Sequence, residues 1–196
     1  MLNESSSSNS IALPRPYGDV VRTSGAGNEQ KKHFNALTLS GKTYELEDTV
    51  LIVNVSMQVK PFVAIIRDIY ETDDGKLWLY AQWFYRPEDI ENIVKDVETI
   101  GARELYYSFH KNEVPAEWIA HKCVVHVIPE NIDVPNRKQH PGFVVQKLYN
   151  PNSNKLMKLQ DDSYIQYLQD EIDQLINKTM RRLGINRAAA ATERGR

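Results

Sequence analysis

Three aromatic residues carry the chemistry that this chain offers most clearly. Trp83 and Tyr85 close the run Leu77-Trp78-Leu79-Tyr80-Ala81-Gln82-Trp83-Phe84-Tyr85, and in a strand they share one face while Phe84 takes the other. Phe62 opens the run before it, Phe62-Val63-Ala64-Ile65-Ile66-Arg67-Asp68-Ile69-Tyr70. Rings gathered on one face form either a packed core or a cage. A cage holds a cation on its π faces, worth about 0.5 to 2 kcal/mol per ring depending on desolvation. Trimethyl-lysine suits such a cage, because it keeps its charge, has lost its hydrogen-bond donors and is weakly hydrated.

Catalytic and metal-binding patterns are missing. The chain has no G-x-S-x-G elbow, H-E-x-x-H helix or dinucleotide fingerprint. Ser40-Gly41-Lys42-Thr43 has Ala36 where a phosphate loop needs its first glycine. Five histidines and a single cysteine, Cys123, lie without metal-ligand spacing. No cofactor, no metal and no enzymatic activity are expected.

The elements that must position the rings are strands. Asp73-Asp74-Gly75-Lys76 separates the two runs, and Asp-Gly between β-rich segments is a hairpin signal. A two-residue turn at Asp74-Gly75 puts Ile66 opposite Trp83, Ala64 opposite Tyr85, and Phe62 beside Pro87. Phe62, Trp83 and Tyr85 then converge on one face at the open end of the hairpin. A one-residue change in the turn would break that convergence by flipping a strand. Further strand patterns begin at His33 and include Thr49 to Val55, Arg103 to Tyr107, Lys122 to Ile128, Gly142 to Tyr149 and Leu156 to Leu159. About seven short strands joined by turns predict a twisted, partly closed β-barrel. From Ile90 to about Thr99 the chain is acidic, with spacing that suits a short helix or an ordered loop.

The ends differ from the middle. Residues 1–30 combine a Ser-rich run with Pro14, Pro16, Gly25 and Gly27, too little apolar surface to repay ordering, and are expected to be a disordered leader. Ile165, Leu168, Ile172, Leu175, Ile176, Met180 and Leu183 mark an amphipathic helix over 161–184, acidic at its start, with Arg181-Arg182 at its end and Gly184 as its stop. That helix either packs on the barrel or offers its stripe to a partner. Residues 185–196 are expected to be a flexible tail. With 24 basic and 26 acidic residues the net charge is −2, which argues against direct nucleic-acid binding. No apolar run approaches the ~20 residues of a membrane span, and the polar start of the chain is unlike a secretion signal.

The runs Lys60-Pro61-Phe62-Val63-Ala64, Gln82-Trp83-Phe84-Tyr85-Arg86-Pro87-Glu88, Arg103-Glu104-Leu105-Tyr106-Tyr107-Ser108 and His121-Lys122-Cys123-Val124-Val125 together resemble the bromo-adjacent homology (BAH) domain. The same runs resemble those of plant BAH proteins that read histone H3 trimethylated at lysine 27. The resemblance implies a mostly β fold, a distorted and partly open barrel over 31–160 with short helical insertions and a C-terminal helix. It implies a Tyr-Trp-Tyr cage at the positions of Phe62, Trp83 and Tyr85, with Phe62 lacking the usual hydroxyl. It also implies a His-x-Asp pair that holds the peptide, which matches His110 and Asn112, the latter without the charge. Nuclear localisation, a histone H3 tail bearing trimethyl-lysine as partner, and repression of transcription follow from the same resemblance. Two other readings keep the fold. One is a scaffold with a non-reading cage that docks PHD-finger or other chromatin proteins; the other is a nucleosome or nucleic-acid binding module.

Overall fold

The computed structural model describes residues 12–53, 60–90, 92, 100–161 and 164–185. Two sheets organise these residues. The smaller has β1 (Arg15–Tyr17), β4 (Ala36–Leu39) and β5 (Lys42–Glu45), in the order β1-β4-β5. The larger is built along β10 (Ile119–Lys122), β6 (Thr49–Ile52), β7 (Phe62–Thr72), β8 (Leu77–Tyr85), β9 (Glu104–Pro115), β12 (Phe143–Asn150) and β11 (Val125–Val127), in that order. β3 (Lys31–Phe34) pairs with β7, β2 (Arg22–Ser24) with β3, and β13 (Lys155–Lys158) with β12. The sheets do not close into a continuous barrel. Short 3-10 turns at Gly27–Glu29, Pro87–Ile90 and Ala116–Trp118 interrupt them. The fold is thus mostly β, partly open, with small helical insertions and one C-terminal helix. It uses thirteen strands among the described residues rather than about seven, because several are three or four residues long, too short to show a period.

Local chemistry explains these elements. β4 and β5 meet at Ser40 and Gly41, both at positive φ (51° and 75°), the conformation that a two-residue turn between twisted strands requires. Ser40-Gly41-Lys42-Thr43 is therefore a hairpin corner. Strand patterning buries two layers. Leu37, Tyr44, Val50, Ile52, Ile66, Ile69 and Leu79 fill one core, and Val63, Ile65, Phe84, Leu105, Tyr107, Val144 and Leu148 fill the other.

The leader expected over residues 1–30 is corrected from residue 12 onward; residues 1–11 lie outside the described residues. β1 runs antiparallel to β4, with Arg15 opposite Thr38 and Tyr17 opposite Ala36. β2 pairs with β3, Arg22 opposite His33. These strands bury almost nothing, so hydrophobicity gives no sign of them. Backbone pairing and a polar cluster hold them instead: Asp68 accepts from Arg22 at 2.6 Å and pairs with His33 Nδ1 at 2.9 Å, while Ser24 Oγ lies 2.7 Å from His33 Nε2.

The β7–β8 hairpin also differs from expectation. Its loop is one residue longer, since the Thr72 N–H donates to the Lys76 carbonyl at 3.0 Å and Glu71 lies opposite Leu77. A bulge between Ile66 and Asp68 adds a second residue. Ala64, not Ile66, faces Trp83, and Val63 faces Phe84. Each one-residue step alone would turn the strand over; together they restore its facing, so Phe62, Ala64, Trp83 and Tyr85 share a face.

The C-terminal helix α1 spans Gln166–Leu183, starting later than residue 161. It ends at Gly184 with φ 69°, where Gly184 N–H donates to Arg181 O and Ile185 N–H to Met180 O, a left-handed glycine stop. Ile172, Ile176 and Met180 are buried against the second core, with Leu175 and Leu183 packed beside them. The stripe is thus occupied by the barrel, whereas Ile165 and Tyr167 stay exposed. The segment expected to be helix or ordered loop up to Thr99 lies largely outside the described residues, as does the tail from 186 onward.

Candidate functional site

At the open end of the hairpin lies a cavity of about 510 Å³, within the range of small-ligand sites. Phe62, Trp83, Tyr85 and Trp118 contribute aromatic surface, with the buried Ile52, Phe84 and Val114 beside them and Asp89, His110 and Asn112 completing the lining. All five residues singled out in the sequence, Phe62, Trp83, Tyr85, His110 and Asn112, border this one space. Phe62 and Trp83 meet nearly at right angles, 75° with centroids 6.0 Å apart. Tyr85 is braced by Tyr149, 5.0 Å away at 70°.

A break in the β8–β9 ladder places the polar partners. Gln82 pairs with Lys111 and Phe84 with Tyr107, so Trp83 alone stands opposite Ser108, Phe109 and His110. The Ser108 hydroxyl donates to the Trp83 carbonyl at 2.8 Å and accepts from the His110 N–H at 3.2 Å, replacing ladder bonds lost in the bulge. The bulge brings His110 to the rings, and Asn112, opposite Ala81 just beyond it, reaches Trp83. Trp83 Nε1 donates to Asn112 Oδ1 at 2.6 Å, and the Tyr85 hydroxyl shares a 2.6 Å hydrogen bond with His110 Nδ1. The two rings are therefore held by hydrogen bonds as well as packing.

The electrostatics favour a cation. Among the described residues Asp89 is the one carboxylate in the lining, and no lysine or arginine borders the cavity. Its Oδ2 accepts the Arg86 N–H at 2.7 Å, and its own N–H returns to the Arg86 carbonyl at 3.0 Å, so the turn after Tyr85 fixes the carboxylate. Arg86 itself points away, donating to the Pro61 carbonyl at 2.6 Å and tying the entrance of β7 to the exit of β8. Burial first, then Tyr149 and Asp89, push the Tyr85 hydroxyl above its ordinary value, so at neutral pH the ring carries no charge of its own. Four aromatic rings and one carboxylate line the cavity among the described residues, a chemistry that suits a cation.

Trp118 and Asp89 carry no strand-pattern signal. Trp118 sits in a one-turn 3-10 segment whose carbonyl accepts the Val53 N–H at 2.8 Å, and only the pairing of β10 with β6 brings that turn to the cavity. For Asp89 the run Arg86-Pro87-Glu88-Asp89 is a weak cue, an acidic residue three positions into a turn. Among the described residues no group of three or more His, Cys, Asp or Glu side chains could hold a metal ion. No helix among them is long and apolar enough to cross a membrane.

Comparison with known proteins gives a consistent pattern. The family model of the BAH domain matches residues 42–160. The chain is 29% identical over 160 residues to the chromatin structure-remodeling complex subunit RSC1 of Saccharomyces cerevisiae, covering 76% of this chain and 16% of that protein. It is 30% identical over 98 residues to the chromatin remodeling protein EBS of Arabidopsis thaliana, covering 49% of this chain and 41% of that protein. The crystal structure of the yeast Rsc2 BAH domain superposes with a TM-score of 0.49 at 24% identity, over 65% of this chain and 54% of that one. The matched segments span less than half the length of these curated relatives.

Proposed function

The chain belongs to the BAH domain family, and from that premise we propose that it is a nuclear chromatin reader acting in transcriptional repression. It binds the histone H3 tail carrying trimethyl-lysine, with lysine 27 as the preferred position, through a cage of Phe62, Trp83 and Tyr85. His110 and Asn112 hold the tail beside the cage. The observation that carries this reading is the cavity between rings set nearly at right angles, lined among the described residues by a carboxylate and no basic side chain. Its volume exceeds what an ammonium head alone occupies, leaving room for the lysine stem and adjoining peptide. The names of the relatives, a chromatin-remodeling complex subunit and a chromatin remodeling protein, support the chromatin setting. The protein acts by binding and not by catalysis in this reading.

Titration of the chain with H3 tail peptides, unmodified and mono-, di- and trimethylated at each modified lysine, tests the proposal. Trimethylation at lysine 27 is expected to tighten binding at least tenfold, which Trp83→Ala abolishes. Equal affinity for trimethylated and unmodified peptides would sink the caging claim. Steep salt dependence with no methyl preference would favour a nucleic-acid or nucleosome binding module.

A further inference from the structure

The residue behind the rings comes from the far end of the chain. Gln82, fully buried next to Trp83, uses its whole side chain. Its oxygen accepts from Arg67 Nε at 2.6 Å, and its nitrogen faces the Ser108 carbonyl at 2.7 Å, the Tyr107 hydroxyl at 2.6 Å and Glu171 Oε1 at 2.8 Å. Two amide hydrogens serve three oxygens there. Glu171 lies on α1 and also accepts from Arg67 Nη2 at 2.8 Å and from the Tyr107 hydroxyl. Its other oxygen lies 3.5 Å from Lys111 Nζ, between His110 and Asn112 in sequence. The β9 segment that carries the ring partners is thus gripped in its bulge at Ser108 through Gln82 and just beyond it at Lys111 directly. Both grips end on one carboxylate.

We propose that Glu171 is a positioning residue for the cage: through Gln82, Ser108 and Lys111 it sets the shape of the β9 bulge, and through His110 and Asn112 the angles of Tyr85 and Trp83. The assignment rests on the cage reading above. It makes α1 a working part of the binding site through the one carboxylate that it delivers to the sheet. The carboxylate touches no ligand. Lys111 contributes through its ammonium, whereas Gln82 contributes through geometry alone.

Three variants test the assignment, each checked by circular dichroism to be folded at the temperature used. Glu171→Gln keeps the shape and removes the charge, Glu171→Ala removes the acceptors, and Ile176→Ala weakens the packing of α1 without touching the polar cluster. Affinity for the lysine-27-trimethylated H3 peptide is measured for each. The indole N–H resonance of Trp83, assigned with Trp83→Phe, is recorded in the free proteins. Both Glu171 variants are expected to lose at least fivefold in affinity and to shift the indole resonance, while Ile176→Ala stays within twofold and leaves it in place. An unmoved resonance in both Glu171 variants overturns the assignment, and so does an equal affinity loss in Ile176→Ala. If the wild-type chain fails to discriminate the trimethylated peptide, the cage reading has failed, and the resonance alone decides the positioning role.

Discussion

The Trp83 indole N–H donates to Asn112 Oδ1 at 2.6 Å, so the single donor of the ring and the acceptor of the amide are both committed before any ligand arrives. In the proposed reading Asn112 holds a cage wall, and only its NH₂ remains to meet a peptide. A carboxylate at this position would hold the indole through a charge-assisted bond and add negative charge beside the cavity. Asn112→Asp should therefore tighten binding of trimethylated peptide two- to fivefold at low salt, with the gain shrinking as salt rises. Asn112→Leu should weaken it. Calorimetric titration at two ionic strengths checks both, and a salt-independent gain would contradict the electrostatic account.

Phe62 is a wall without a handle. Its ring packs against Trp83 at 6.0 Å, so Phe62→Ala removes one π face and frees its neighbour, a loss of about 1 to 2 kcal/mol, or roughly five- to thirtyfold in affinity. Phe62→Tyr keeps the face and should bind within threefold of wild type. A Tyr variant as weak as the Ala variant would mean that the cavity reads fit and not the ring face.

The reach of the sequence can be judged from these same residues. Alternation at Trp83, Phe84 and Tyr85 was enough to assign faces, because a strand has only two. The hairpin register was not readable. Its bulge at Arg67 exists where a guanidinium turns to meet Gln82 and Glu171, a partner 104 positions away, and local pattern holds no trace of that meeting. The same blindness covers β1 and β2, which are held by hydrogen bonds from exposed residues and bury no periodic apolar face. It covers Trp118 too, delivered to the cavity by a short turn. The helix stripe was plain from its spacing, whereas its first turn was not, since Ile165 precedes the helix with no side-chain cap.

The part-buried ion cluster should matter more than exposed pairs. The Arg67 side chain is 13% exposed and that of Glu171 20%, and Glu171→Ala leaves the guanidinium paired with Glu47 alone. Removing the shared acceptor of Arg67, Tyr107 and Gln82 costs about 1 to 3 kcal/mol. Lys60→Ala, which removes a pair whose side chains are 73% and 50% exposed, should leave the midpoint essentially unchanged. Urea unfolding midpoints separate the two, and equal midpoint shifts would contradict the network.

Acid should destabilise the fold in two stages. Burial, with the cations of Arg182 and Arg103 adding to it against the Pro141 carbonyl, lowers the His126 imidazole below its ordinary 6.5. The unfolded chain then binds a proton that the fold refuses, so stability falls as pH drops through about 6.5. Burial alone would raise the Glu171 carboxyl, but the Tyr107 hydroxyl, Arg67, Gln82 and Lys111 outweigh it and hold it below its ordinary 4.5. Its contribution is present above 4.5 and is lost as pH falls through the lower folded value. Unfolding midpoints measured from pH 8 to pH 3 should show both declines, with His126→Gln removing the upper one. A flat profile between pH 7 and pH 5.5 would contradict the role given to His126.

The central claim is that the rings bind a cation, and the measurement that isolates it compares two H3 peptides of the same shape. One carries trimethyl-lysine at position 27; the other carries its neutral tert-butyl isostere, in which carbon replaces the ammonium nitrogen. Calorimetric titration of the wild-type chain with both should give at least a tenfold preference for the charged peptide, as about 1.4 kcal/mol summed over the π faces and Asp89 requires. Equal affinity for the two peptides would contradict the claim.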